Sequence, residues 1–145
     1  MAEGRLDIMQ KPVQVLIVDD QPRARKSLRA LLSSWSQVGA MFEAGDGREA
    51  VELAREHQPD VVLMDVRMPE LDGLKATAQI KAFCPEIKVI ILSMYVEYHH
   101  EALAAGADAF VAKGDAPGAL LSTLAAILSY QSLVKSNDQS VGLLS

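Results

Sequence analysis

Apolar and polar residues fall along this chain in blocks of two kinds. Short unbroken apolar runs, too brief for a convincing helix and without polar alternation, mark strands buried on both faces. Longer stretches with apolar residues three and four apart mark amphipathic helices. The clearest run is 61–64, which ends on Asp65. Residues 13–18 end on Asp19 and Asp20, 87–92 on Ser93, and 108–112 on Lys113, while 38–44 is a weaker strand. Between them the spacing predicts helices. Pro22 sits in a first turn, followed by Ala24, Leu28, Leu31, Leu32 and Trp35 on one face. Asp46 with Glu49 resembles a capping box opening a helix to about 56. Asp72 and Gly73 open a helix to about 83 that Pro85 stops, and a helix over 96–105 is closed by Gly106 as a left-handed cap. Gly114 and Asp115 then turn into a last helix, 116 to about 131, with a stripe of Leu120, Leu121, Leu124, Ile127 and Leu128.

Strand and helix thus alternate five times, which implies an α/β fold: a doubly wound, five-stranded parallel sheet with helices on both faces. Right-handed crossovers and the flavodoxin-like order 2-1-3-4-5 set the first and third strands side by side at the switch point, and ligands bind at this C-terminal rim. The rim collects Asp19, Asp20, Asp65, Ser93 and Lys113.

At 145 residues, half of them apolar, the chain suits one domain with a real core, expected over 13–131 between tails at 1–12 and 132–145. A net charge of −5 argues against a surface built mainly for nucleic acid or anionic lipid. Cys84 is the only cysteine, so an intramolecular disulfide, a zinc cluster and a Cys-x-x-Cys pair are excluded. No run approaches the roughly 20 apolar residues of a membrane span, and the first ten residues lack a signal-like apolar core. A cytoplasmic protein is expected.

Three carboxylates at one rim repel one another and either hold protons or recruit a cation. With oxygen donors only, Mg²⁺ fits better than zinc or copper and keeps room for a phosphoryl oxygen. Lys113 adds a positive point charge, and Ser93 a hydrogen-bond donor. An ionised carboxylate is a nucleophile without help, whereas a serine needs a base that is not placed here. The implied reaction is in-line attack of Asp65 on phosphorus to give an aspartyl phosphate.

The set Asp19-Asp20, Asp65-Val66-Arg67-Met68-Pro69, Ser93 and Lys113, with Phe110 three residues before the lysine, resembles the receiver domain of two-component response regulators. The resemblance implies that Asp65 is the phosphoacceptor and that Asp19, Asp20, Asp65 and the backbone carbonyl of Arg67 hold Mg²⁺. It makes Ser93 and Phe110 the switch pair and Lys113 the phosphate-binding lysine. The donor would be a phosphohistidine on a sensor histidine kinase or phosphotransfer protein. A downstream protein, or a second copy in a homodimer, would read the face made by the fourth helix, fifth strand and fifth helix. Arg67 and Tyr95 lie two residues after Asp65 and Ser93, where the family borders the path of hydrolytic water. Both are bulky, so slow loss of phosphate is expected. The family commonly carries proline after the lysine, where this chain has Gly114. The Lys-Gly-Asp sequence is closest to receivers that precede a LuxR-type helix-turn-helix domain. No such domain is expected within these residues, and neither nucleic-acid nor membrane binding is inherited.

The expectation is a phosphorylation-controlled binding module rather than an enzyme. The alternative is a Mg²⁺-dependent phosphatase of haloacid-dehalogenase type, which would want an acid where Arg67 stands and usually a cap domain. A flavin carrier would want a phosphate-cradling loop where Asp19-Asp20-Gln21-Pro22 stands. Other residues have plainer readings. Arg23, Arg25, Lys26 and Arg29 form a solvated helix face beside the rim, open to kinase docking. His99 and His100 are surface residues, His57 closes the second helix, Cys84 is a small buried residue and Trp35 anchors a helix end.

Overall fold

A computed structural model describes residues 11–68, 70–115 and 117–128. Residues 1–10 of the expected N-terminal tail and the whole of 132–145 lie outside the described residues. The chain divides into two compact units, 1–114 and 115–145.

Within the first unit, five strands form one parallel sheet in the order β2-β1-β3-β4-β5. They are β1 (Val13–Val18), β2 (Val38–Ala44), β3 (Val61–Asp65), β4 (Lys88–Ser93) and β5 (Ala109–Ala112). The three middle strands are central because they are largely apolar. Leu16, Ile17, Val61, Val62, Leu63, Met64, Ile90 and Ile91 are all fully buried. β1 and β3 are neighbours, pairing Val15 with Val61 through Val18 with Met64, so the chain positions of Asp19 and Asp65 end on the same rim.

The helices cover this sheet through small residues. α1 (Pro22–Ser33) has Pro22 in its first turn, as its pattern predicts. α2 (Gly47–His57) is capped by Asp46, whose carboxylate accepts from the Glu49 amide at 2.8 Å. It buries Gly47, Ala50, Val51 and Ala54. α3 (Gly73–Phe83) is capped by Asp72 and buries Gly73, Ala76, Thr77 and Ile80. No larger residue fits at Gly73: a Cβ there would run into the Asp65 carbonyl oxygen.

The expected fourth helix divides. Val96–Tyr98 is a 3₁₀ turn and α4 (His99–Ala104) is a single short α-helix, closed by Gly106 at φ 102°. The Gly106 and Ala107 amides return to Leu103 and Ala102, a Schellman closure that satisfies the last carbonyls. Two plainer expectations are corrected. Trp35 lies beyond α1 and is only half-buried, and Cys84 is half-buried because it terminates α3 at the edge of the core. In the second unit, 117–128 form a helix, α5. No helix among the described residues is long and apolar enough to cross a membrane.

Candidate functional site

Each strand end delivers the side chain that the apolar pattern assigns to it. Asp19 follows β1 and is 1% exposed. Such a carboxylate requires partners, and it has them: Oδ1 accepts from the Gln21 amide at 2.9 Å, and Oδ2 from Lys113 Nζ at 2.7 Å. Asp65 ends β3 and its Oδ1 accepts from the Val66 amide at 2.8 Å. Lys113 Nζ lies 3.4 Å from Asp65 Oδ2, so one ammonium serves two acids and sits closer to Asp19. Asp20 is exposed, yet one ligand atom from each of Asp19, Asp20 and Asp65 fits within 4.8 Å.

These charges perturb one another. Burial pushes the Asp65 carboxyl above its ordinary value, and the neighbouring Asp19 charge adds to that. Lys113 and the Val66 amide oppose the shift without reversing it. Burial works against the Lys113 ammonium, but its hydrogen bond to Asp19 and the charges of Asp65 and Asp19 outweigh it and raise its pKa. Three carboxylate oxygen donors, two of the groups bridged by a single lysine, fit a hard divalent cation such as Mg²⁺, with no histidine or cysteine in the set.

The remaining rim residues come from β4, β5 and their loops. Ser93 is buried at the end of β4, and its Oγ accepts from the Tyr95 amide at 3.0 Å. The Lys113 amide donates to the Ser93 carbonyl at 2.8 Å, continuing the β4–β5 ladder. The peptide after Lys113 is trans, as are all those described. Phe110 on β5 is half-buried against the core, and its ring lies 5.1 Å from that of His99 on α4. His99 is a surface residue as expected, but it covers Phe110. Arg67, in the loop after β3, lays its guanidinium 4.2 Å over the Tyr95 ring, so the β3 and β4 loops meet across the rim.

Sequence reasoning missed Arg25. It does not merely face solvent: its Nη1 donates to the Asp19 carbonyl at 2.6 Å and its Nε pairs with Glu43 Oε1 at 3.1 Å. One signal could have exposed it, since Glu43 is an acid inside an otherwise apolar strand.

A five-stranded 2-1-3-4-5 sheet with an acidic cluster and a lysine at its switch point defines a receiver-type signalling module. The family model for the response regulator receiver domain matches residues 15–125, and the chain belongs to that family. It is 38% identical over 104 residues to the response regulator protein VraR of Staphylococcus saprophyticus, covering 70% of this chain and 50% of that protein. VraR of Staphylococcus aureus is 39% identical over 103 residues, covering 70% and 49%. The chain therefore spans about half the length of the curated relatives it matches. Among solved structures it is similar to a LuxR-family two-component response regulator from Aurantimonas sp. (TM-score 0.78, 31% identity, 82% of this chain and 86% of that one). It is also similar to a chain in the CheX–CheY–BeF₃–Mg²⁺ complex from Borrelia burgdorferi (TM-score 0.76, 29% identity, 81% and 90%).

Proposed function

We propose that Asp65 accepts a phosphoryl group from a phosphohistidine on a sensor kinase or phosphotransfer protein, and that the modified protein changes which partner it binds. The observation that carries this reading is the convergence of Asp19, Asp20 and Asp65 within 4.8 Å, with Lys113 Nζ at 2.7 and 3.4 Å from two of them. A carboxylate oxygen of Asp65 attacks phosphorus, the P–N bond to the donor imidazole breaks, and that nitrogen takes up a proton. Asp19, Asp20, Asp65 and the Arg67 carbonyl would hold Mg²⁺, which when bound neutralises charge on the phosphoryl oxygens. Lys113 lies on the Asp65 Oδ2 side and supplies the second positive charge. Support for Mg²⁺ also comes from the Borrelia relative, solved in a complex with beryllofluoride and Mg²⁺.

The receiver module comprises residues 13–131 and works in the cytoplasm, where kinase and Mg²⁺ are available. Ser93 Oγ accepts from the Tyr95 amide and keeps its own O–H free to donate; it moves toward a phosphoryl oxygen, and Phe110 then fills the space it leaves. A partner reads the resulting change on α4 and β5. Arg67 stacked on Tyr95 screens the rim from water and prolongs the modification.

Incubation with a small phosphodonor and Mg²⁺ tests the reading by intact mass. A stable single phosphoryl gain, absent in Asp65→Asn and without Mg²⁺, is expected. Continuous release of inorganic phosphate over many turnovers would instead make the protein a phosphatase.

A further inference from the structure

Every polar atom of Asp19 already has a partner in the protein. Its amide donates to Ala44 at 3.1 Å, its carbonyl accepts from Arg25 at 2.6 Å, and its two carboxylate oxygens accept from Gln21 and Lys113. Asp20 is the opposite case. It is exposed and makes no hydrogen bond or ion pair among the described residues, yet its carboxylate shares the acidic cluster. Side-chain contacts do not aim it, so the backbone must.

The peptide unit is planar, so the Asp19 carbonyl oxygen and the nitrogen and Cα of Asp20 move as one rigid piece. Whatever grips that oxygen sets where the Asp20 side chain departs. The grip is Arg25, and it is itself aimed: Nε pairs with Glu43 Oε1 at 3.1 Å, while Arg29 holds the other Glu43 oxygen at 3.2 Å. Glu43 adjoins Ala44, the residue that receives the Asp19 amide. A planar, two-armed cation can bridge a carbonyl and a carboxylate in this way, and a lysine ammonium does so poorly.

We propose that Arg25, oriented by Glu43, is a positioning residue that holds the Asp19–Asp20 peptide so that Asp20 faces Asp65, and thereby sets the affinity for a divalent cation. The inference rests on the reading that these carboxylates hold such a cation. Removing Arg25 has two consequences of opposite sign. As a positive charge near the cluster it repels a metal, so its loss by charge alone tightens binding; as a positioning group its loss weakens binding.

Calorimetric titration of the full chain with Mg²⁺ separates the two. Arg25→Met is expected to bind about tenfold more weakly, in line with other groups that orient metal ligands. Glu43→Gln should shift the same way by less, and Arg29→Met, which shares Glu43 but does not reach Asp19, should bind as wild type. At saturating Mg²⁺ the phosphorylation rate of Arg25→Met should return to the wild-type value. Equal or tighter binding by Arg25→Met overturns the positioning role and leaves Asp65 as phosphoacceptor. A wild type that binds no Mg²⁺ overturns both. Should Arg25→Met fail to fold by circular dichroism, Glu43→Gln decides, and unchanged affinity there overturns the proposal.

Discussion

Asp65 sits where burial and neighbouring charge pull in different directions, and burial wins. Its carboxyl pKa stands above the usual 3.8, because burial, joined by the Asp19 charge, outweighs the opposing pull of Lys113 and the Val66 amide. For an acid raised in the fold, ionisation is destabilising: the favourable state is the protonated one, fully present below the unfolded pKa and lost as pH rises through the folded one. Asp65→Asn mimics the protonated form and keeps an acceptor for the Val66 amide. It is therefore expected to melt higher than wild type at pH 7, with the gain shrinking to nothing below about pH 3.8; a Tm series across pH checks this, and a lower Tm at pH 7 contradicts it. A second residue-scale expectation concerns Arg67 on Tyr95. Replacing both by small or acidic groups, Arg67→Asn with Tyr95→Glu, removes the stacked cover and should shorten the phosphoryl lifetime several-fold, read by loss of the mass gain after the donor is removed. The site's acids, serine and lysine were legible because each ends an apolar run, and a run's end is a local signal. Arg25 left only the faint signal of Glu43, because its partners Asp19 and Glu43 come from two other elements and its own neighbours along α1 are equally basic.

Among the elements, the strands were readable to within a residue, since each is a short, mainly apolar run bounded by polar or turn residues. The short α4 was harder. Its apolar spacing suits one helix, but Tyr95, Val96 and Leu103 stay exposed, so little burial holds a continuous helix together and the first turn tightens to 3₁₀. Tertiary fasteners were also invisible to pattern. Lys81 donates to the Pro85 and Ile87 carbonyls at 2.8 and 2.9 Å and to Asp108 at 3.0 Å, tying the end of α3 to the turns before β4 and β5. Lys81→Met leaves those acceptors short of a donor and should cost about 1–3 kcal/mol in urea unfolding. Gly73→Ala acts at the other end of α3. The new methyl meets the Asp65 carbonyl, which is backbone and cannot swing aside, so a loss of about 1–3 kcal/mol is expected. It should come with slower phosphorylation, because relief moves the strand end that carries Asp65. Gly114→Ala, with no atom near the added carbon, is the matched control and should be close to neutral.

At the scale of the molecule, the sheet's order places Asp65 two strands from the edge that meets α4. Asp65 is in register with Leu92, and Ser93 with Ala112, so the proposed phosphoacceptor, the proposed switch hydroxyl and the Phe110 strand lie on three successive strands. From Phe110 the path leaves the sheet through the His99 ring and enters α4, an element of six residues preceded by a single 3₁₀ turn. Helices this short are marginal unless packing holds them, so α4 is the segment whose equilibrium a small displacement can bias. On the function proposed above, a charged, acceptor-rich group at Asp65 would draw Ser93 Oγ from the Tyr95 amide, and the Tyr95–Tyr98 turn would lose an anchor. Hydrogen exchange with and without beryllofluoride and Mg²⁺ should therefore show changed protection over 93–105 and in β5, with β1 and α2 unaltered. Ser93→Ala should still bind beryllofluoride but lose the distal change. If the wild type takes up beryllofluoride and exchange over 93–105 does not move, the path through Ser93 and Phe110 is not how this receiver signals.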